Sequence, residues 1–367
     1  MTRYDILLGR NNIIITHAGF NNQQKIKAEV SLNGGRLVTL VSEFANSAYK
    51  FYDIEKLLPD SSLELPSFVN NYEAYPEAVQ ELTFRFFQGQ VQNIENYPIL
   101  LGAGLGKRKQ NLSWLTNPLG KFLTHQPANK KTTEQDEEYL YFLNNFNENL
   151  ANICVRVAAI LDDSNIQYFD AILITSPDRQ LYSFDVSAVS VRRLFYETFE
   201  ENEELLGKQV VAYRVQVFNR LEEPGDEPYN YVPLSEYRYY EIVNYSAKDI
   251  YMTFRNSFGV FDTLRLIGNQ KQSQVVVHDE FEMDEGVRLA DVNFYKKLVV
   301  NAGEFEQKWL EYLQELVISK EIYVRTRAGY QRLLCTTKEL KFLDTSTPID
   351  EAQLEFRYVE NENNFAQ

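Results

Sequence analysis

The chain has 367 residues, with 52 Asp and Glu against 37 Lys and Arg, a net charge of −15, and 24 Tyr and 24 Phe beside 3 His and 2 Cys. This balance argues against a phosphate-neutralising surface, so no nucleic acid partner is expected; Cys154 and Cys335 cannot build a disulfide framework. No run approaches the ~20 apolar residues of a spanning helix, so no membrane insertion is expected, and the apolar stretch after Met1 is too short for a signal peptide.

Period two dominates from the start. Lys27 to Leu32 alternates in polarity, Asn33-Gly34-Gly35 supplies a hairpin turn, and Arg36 to Phe44 alternates again. Thr83 to Phe87, Val210 to Phe218 and Asp249 to Arg255 read the same way, rich in β-branched and aromatic residues that suit a half-buried pleated surface. Their spacing predicts a mainly β chain of consecutive β-sandwich-like modules, with a few short helices and one C-terminal amphipathic helix. That helix is expected over 304–317, where Phe305, Trp309, Leu313, Leu316 and Val317 form one apolar stripe behind Gly303. Asp136 to Asn147 reads as another short helix.

An internal duplication is visible in outline. Phe51 and Phe184, Arg85 and Arg214, and Val30 and Val157 recur in the same order at separations of 133, 129 and 127 residues. Two related β modules over 1–95 and 149–222 would produce this, as would chance alternation in a β-rich chain. Between them, 96–148 reads as an inserted arm or long loop region, since its turn-forming and charged residues outnumber its periodic ones. Glu222 to Pro228 holds two prolines, a glycine and four carboxylates, and is read as a linker to a C-terminal β-rich domain over 229–367.

Few residues are arranged for chemistry. Gly102, Gly104 and Gly106 before Lys107 imitate a phosphate loop, but Leu101 stands where a Walker loop needs glycine and Arg108 where it needs Ser or Thr. The stretch reads as a glycine turn beside a basic triplet, and no cofactor is expected. His17, His125 and His278 lie far apart without metal-ligand spacing, neither Ser176 nor Ser257 sits in a nucleophile elbow, and both cysteines lie in alternating strands as small buried hydrophobes. Asp279 to Gly286 lacks a calcium-loop pattern, and its acids alternate with Phe281 and Met283 as on the solvent face of a strand. No catalytic or metal-binding residue is therefore assigned, although paired carboxylates from separate strands are not visible in a sequence.

The tyrosines carry the remaining signal. Tyr229, Tyr231, Tyr237, Tyr239 and Tyr240 crowd one stretch after the linker. Such a cluster suits a protein interface or sugar stacking, and equally the cross-strand pairs of an ordinary sheet core. With Lys107, Arg108 and Trp114 of the arm, they are the candidate interface residues.

The segment Asp249 to Ile267 resembles a strand–turn–strand signature of tail-associated structural proteins in phages and prophages infecting Bacteroidota. Arg255-Asn256-Ser257-Phe258-Gly259 and Asp262 match it, while Val260 replaces a second glycine. Phe51 to Ile54 and Phe184 to Val186 look like the strand end found upstream in such proteins, and the C-terminal order of helix, strand, tight turn at Arg327 to Gly329 and closing strand is similar. The match is close over one hairpin and looser over the order of elements. The resemblance implies a non-enzymatic structural component of a phage tail or related contractile particle, located in the virion tail and assembled in the host cytoplasm. Its partners would be copies of itself and other tail subunits, met through β edges, arms and Tyr-rich faces. The alternative is a carbohydrate- or receptor-binding module that meets host surface glycan with exposed aromatics.

Overall fold

The computed structural model describes residues 7–9, 15–17, 25–45, 48–51, 54–59, 63–66, 71–88, 91–104, 120–146, 149–205, 207–221, 229–283, 286–304, 309–339 and 351–359. The chain is mainly β and sandwich-like. It divides into one unit of Met1–Thr124, Tyr139–Glu241 and Ser257–Val260, and another of His125–Glu138, Ile242–Asn256 and Phe261–Gln367.

The first unit opens with β1 (Leu7–Leu8), β2 (Ile15–His17), β3 (Lys25–Leu32), β4 (Gly35–Ala45), β5 (Ala48–Phe51), β6 (Tyr72–Tyr75), β7 (Val79–Gln88) and β8 (Val91–Leu100). All but β6 form one sheet in the order β1-β8-β7-β3-β4-β5-β2. Its alternation buries Ile26, Ala28 and Val30 of β3 against Leu82, Phe84 and Phe86 of β7. After β9 (Asn129–Thr132), which lies in the second unit, come β10 (Tyr139–Leu143), β11 (Asn152–Leu161), β12 (Ile166–Thr175), β13 (Leu181–Asp185), helix α1 (Ala188–Thr198), β14 (Val210–Leu221), β15 (Asn230–Pro233) and β16 (Arg238–Ile242). β11 pairs with β12 on one side and β14 on the other, and β14 carries both β15 and β16. The triplet β12-β11-β14 repeats the connectivity of β4-β3-β7, a hairpin whose first strand takes a later strand on its free side.

Inward from β11 point Ile153, Val155, Val157, Ala159 and Leu161, all buried. Each contributes on the order of 1–3 kcal/mol by leaving water. Helix α1 covers this face, with Phe195 edge-on to Phe169 of β12 at 6.1 Å. The helix starts at Ser187, whose hydroxyl accepts from the Ser190 N–H at 3.4 Å, and the Asp185 carboxylate accepts from the Ser187 N–H at 3.0 Å. The Phe184-Asp185-Val186 motif is thus a strand end followed by a helix cap.

The stretch expected as a helix over Asp136 to Asn147 contains β10 instead, paired along its length with β13. All five residues of β10 are buried, and a strand covered on both faces shows no alternation from which to recognise it. Within 96–148, the arm reading therefore covers strand residues of β8, β9 and β10 as well, while 105–119 lie outside the described residues.

The second unit adds β17 (Ile250–Arg255), β18 (Phe261–Leu266), β19 (Gln270–Met283), β20 (Gly286–Glu304), helix α2 (Leu310–Ile318), β21 (Ile322–Thr326), β22 (Gly329–Cys335) and β23 (Glu351–Tyr358). The strand order is β18-β17-β21-β22-β23-β20-β19. Helix α2 lays Tyr312, Leu313 and Leu316 on this sheet, with Trp309 and Val317 packed partly buried beside them. It starts later than its apolar stripe predicts, because Gly303 and Glu304 still belong to β20; Phe305 lies outside the described residues. Gly303 has φ +90°, and a Cβ there would come within 2.8 Å of the Ile267 side chain, so the position excludes larger residues. In the hairpin that carries the tail-protein resemblance, the Asn256 amide donates to the Asp262 carboxylate at 2.8 Å. Gly259, at φ +77°, comes so close to Gly102 that a Cβ would lie 2.8 Å from its carbonyl carbon.

A closed charge network sits inside the second unit. The Lys130 ammonium lies 2.7 Å from Oε1 and 2.8 Å from Oε2 of Glu138, and donates to the Thr263 carbonyl at 2.7 Å. Both side chains are almost fully buried. Arg265 donates to Asp249 at 3.1 Å and lies 3.6 Å from Asp136, whose carboxylate accepts from the Thr133 N–H at 2.6 Å. Burial pushes the Glu138 carboxyl up to about 6, against the attraction of Lys130, and raises Asp136 as well. The folded state therefore holds a proton that the unfolded chain gives up near 4.5. The stability this proton confers is complete below that pH and is lost as pH rises through about 6. Glu138→Gln should flatten the fall in denaturation midpoint between about pH 4.5 and 6.5. Lys130→Met, which strands a carboxylate without its cation, should cost about 3–5 kcal/mol in equilibrium unfolding.

Candidate functional site

The sheet β12-β11-β14 has a second face, and it is not apolar. Residues opposite each other in an antiparallel ladder share a face. The register sets Arg156 beside Asp170 and Gln216, Ala158 beside Tyr168 and Arg214, Arg214 beside Tyr239, and Arg220 beside Tyr231. Arg156 of β11 and Arg214 and Arg220 of β14 thus become one layer of three guanidiniums among tyrosine rings.

The rings and cations stack. The Arg156 guanidinium lies 3.9 Å from the Tyr231 ring centre and 5.5 Å from that of Tyr168. Arg220 lies 3.8 Å over Tyr229, and Arg214 5.8 Å from Tyr237. Such contacts contribute on the order of 0.5–2 kcal/mol, more as water is excluded. Asp170 is the anionic centre of the layer: it accepts from Arg220 at 3.1 Å and from the Tyr231 hydroxyl at 2.8 Å, and lies 3.9 Å from Arg156 Nε. Burial first, and then this carboxylate, push the Tyr231 phenol up to about 12. Burial likewise raises the Cys154 thiol. Beside the hub opens a depression of about 330 Å³, lined by Arg156, Tyr168, Arg214, Gln216, Phe218 and Tyr237. The Gln216 amide is fixed by donation to the Ser235 carbonyl at 2.7 Å.

Four tyrosines singled out from the sequence meet here: Tyr229, Tyr231, Tyr237 and Tyr239. Tyr240 does not. One position further along β16, it points inward, 1% exposed, and stacks on Tyr213 with ring centres 5.0 Å apart. It is a core residue, because successive strand residues face opposite ways. Lys107, Arg108 and Trp114 lie outside the described residues. Sequence reasoning missed Arg156, Tyr168, Asp170, Arg214 and Arg220; the available signal was an arginine among the polar positions of each alternating strand, Arg156 in β11 and Arg214 and Arg220 in β14.

Elsewhere two histidines are engaged structurally. The His17 ring stacks on Phe86 at 4.2 Å and its Nδ1 bonds Glu95 at 2.7 Å. His125 lies 3.5 Å from Glu315 and 3.8 Å from Glu311. Among the described residues, no group of three or more His, Cys, Asp or Glu is placed to hold a metal ion. A cavity beside Asp136, Tyr251 and Arg325 in the second unit has about 10 Å³, room for a single water.

No family model matches the chain, and no curated protein matches it. A solved structure of Escherichia coli alpha-2-macroglobulin activated by porcine elastase aligns with 97% of this chain at 11% identity and a TM-score of 0.20. The chain spans 30% of that protein's length, and a likeness this weak carries no argument about function.

Replacing the hub by Asp170→Asn should lower the stability of the first unit by about 1–3 kcal/mol in denaturant titrations. It should also bring the Tyr231 phenol back toward ordinary tyrosine, seen in the ring-carbon NMR shift against pH. A thiol reagent should modify the partly exposed Cys335 in the native protein and reach the buried Cys154 only on unfolding, counted by mass spectrometry.

Proposed function

We propose that the chain is a non-enzymatic structural component of a phage tail or related contractile particle, which joins copies of itself and neighbouring subunits through sheet edges. The observation that carries this reading is the β19–β20 hairpin. β19 pairs with β20 from Gln270↔Val300 to Met283↔Gly286, but β23 meets β20 only from Lys297 onward. Among the described residues, the stretch of β20 before Lys297 pairs with β19 alone. A two-stranded ribbon is marginal in water by itself, and its unpaired main-chain groups are a template for a strand from another subunit. The hairpin resemblance at Arg255 to Gly259 and Asp262 supports the same reading, as does the high negative charge, which keeps unassembled subunits soluble. The protein would be made in the host cytoplasm and reside in the virion tail.

A second reading, recognition of a carbohydrate or receptor, is favoured by one feature: the depression walled by Tyr168 and Tyr237, which are 57% and 52% exposed. Rings of this kind combine a broad apolar surface with a polar tip. The two readings are compatible, since one uses strand edges and the other a sheet face.

Shortening the hairpin to an Asn-Gly turn between Val275 and Tyr295 removes the extension and keeps a cross-strand pair. In sedimentation velocity the full chain should form oligomers that the shortened variant does not, with thermal unfolding unchanged. A full chain that stays monomeric at high concentration and binds no particle component would overturn the proposal.

A further inference from the structure

The arginine–tyrosine face is unbalanced in charge, and the imbalance is local to the depression. Asp170 is committed to Arg220 and Tyr231. Arg156 Nε is buried without a hydrogen-bond partner, its distance to Asp170 being 3.9 Å. The Arg214 side chain makes no hydrogen bond or ion pair among the described residues, and its guanidinium lies 5.8 Å from the Tyr237 ring centre. Two guanidiniums thus line the 330 Å³ opening with little anionic compensation, in a chain of net charge −15. The Arg–Glu pairing seen in the first sheet is absent here. There Arg85 stands directly opposite Glu29, whereas Arg214 stands opposite Ala158.

We infer that this depression binds an acidic sugar residue, its carboxylate held between Arg156 and Arg214 and its ring laid against Tyr168 or Tyr237. The inference rests on the recognition reading above and names its ligand class. A guanidinium presents paired N–H donors that match a carboxylate in a plane. The volume lies at the small end of ligand clefts and suits one or two ring-sized units. An incoming peptide strand does not fit, since β11 and β14 are hydrogen-bonded on both sides and leave no main-chain edge at this face. Recognition here must run through side chains, and those available are aromatic, cationic and amide.

The test is titration of the full chain with digalacturonate and with the neutral galactose disaccharide, followed by calorimetry and by tyrosine NMR shifts, at low and high salt. The acidic disaccharide should bind with salt-sensitive affinity and the neutral one at least tenfold more weakly. Arg214→Gln and, separately, Tyr237→Ala should each weaken digalacturonate at least tenfold while the unfolding midpoint stays within a few degrees, which keeps the test independent of Arg156. Equal affinity for the two sugars would overturn the charge assignment and leave the recognition reading standing. Binding of neither would remove both. Unchanged affinity in Arg214→Gln, or equal competition by inorganic phosphate, would also overturn the proposal, by placing the sugar elsewhere or reducing the site to a general anion contact.

Discussion

β11 is paired with β12 on one side and β14 on the other, and the side chains then have only two directions left. Ile153, Val155, Val157, Ala159 and Leu161 take the inner one and Arg156 and Ala158 the outer. A slip of one residue would put the Arg156 guanidinium into the core and valines into water, a loss of many kcal/mol that fixes the register. Everything on the outer face inherits its position from that choice. Asp170 reaches Arg220 across β11, and Tyr231 comes over Arg156 from β15, because the ladder holds the intervening strands at fixed spacing.

The two units handle charge in opposite ways. Lys130 and Glu138 are buried together as an ion pair, with Thr263 and Gln126 adding hydrogen bonds to it. Such an arrangement contributes little net stability, but it tolerates only its own geometry. The outer face of β11 and β14 instead leaves guanidiniums partly in water, with one carboxylate, Asp170, among them and rings stacked on the rest. A ring offers a cation only its weak quadrupole, so the charge stays available to a third party. This difference separates a core that specifies a fold from a surface that can select a ligand.

Much of the strand architecture was legible in the sequence, because half-buried strands declare themselves by period two. The Asn33-Gly34 turn lies between β3 and β4 as expected, with both residues at positive φ. The expected apolar stripe of α2 includes the buried Leu313 and Leu316, but not Tyr312 and Glu315, which are buried as well. β10 was illegible for the complementary reason: Tyr139 to Leu143 are apolar or aromatic throughout, and a strand buried on both faces carries no alternation to read. The candidate site was half legible. The tyrosines stood out by density, but their arginine partners come from β11 and β14, up to 75 residues away in the chain (Arg156 to Tyr231), and only the register brings them together. Tyr240 shows how fine the distinction is, since one residue separates the exposed layer from the core.

The second unit is discontinuous in the chain, and this has a kinetic consequence. Glu138 is made 125 positions before Thr263, the residue that helps to close its hydrogen bonds. At ribosomal speeds of about 5–20 residues per second, that interval is roughly 6–25 s. Throughout it, Lys130 and Glu138 belong to a segment whose enclosing sheet does not yet exist, so they must remain hydrated and unpaired with their final surroundings. Strand β23, which pairs with β20 and β22, comes later still. The second unit therefore acquires its full sheet only once β23 has been made, long after Lys130 and Glu138.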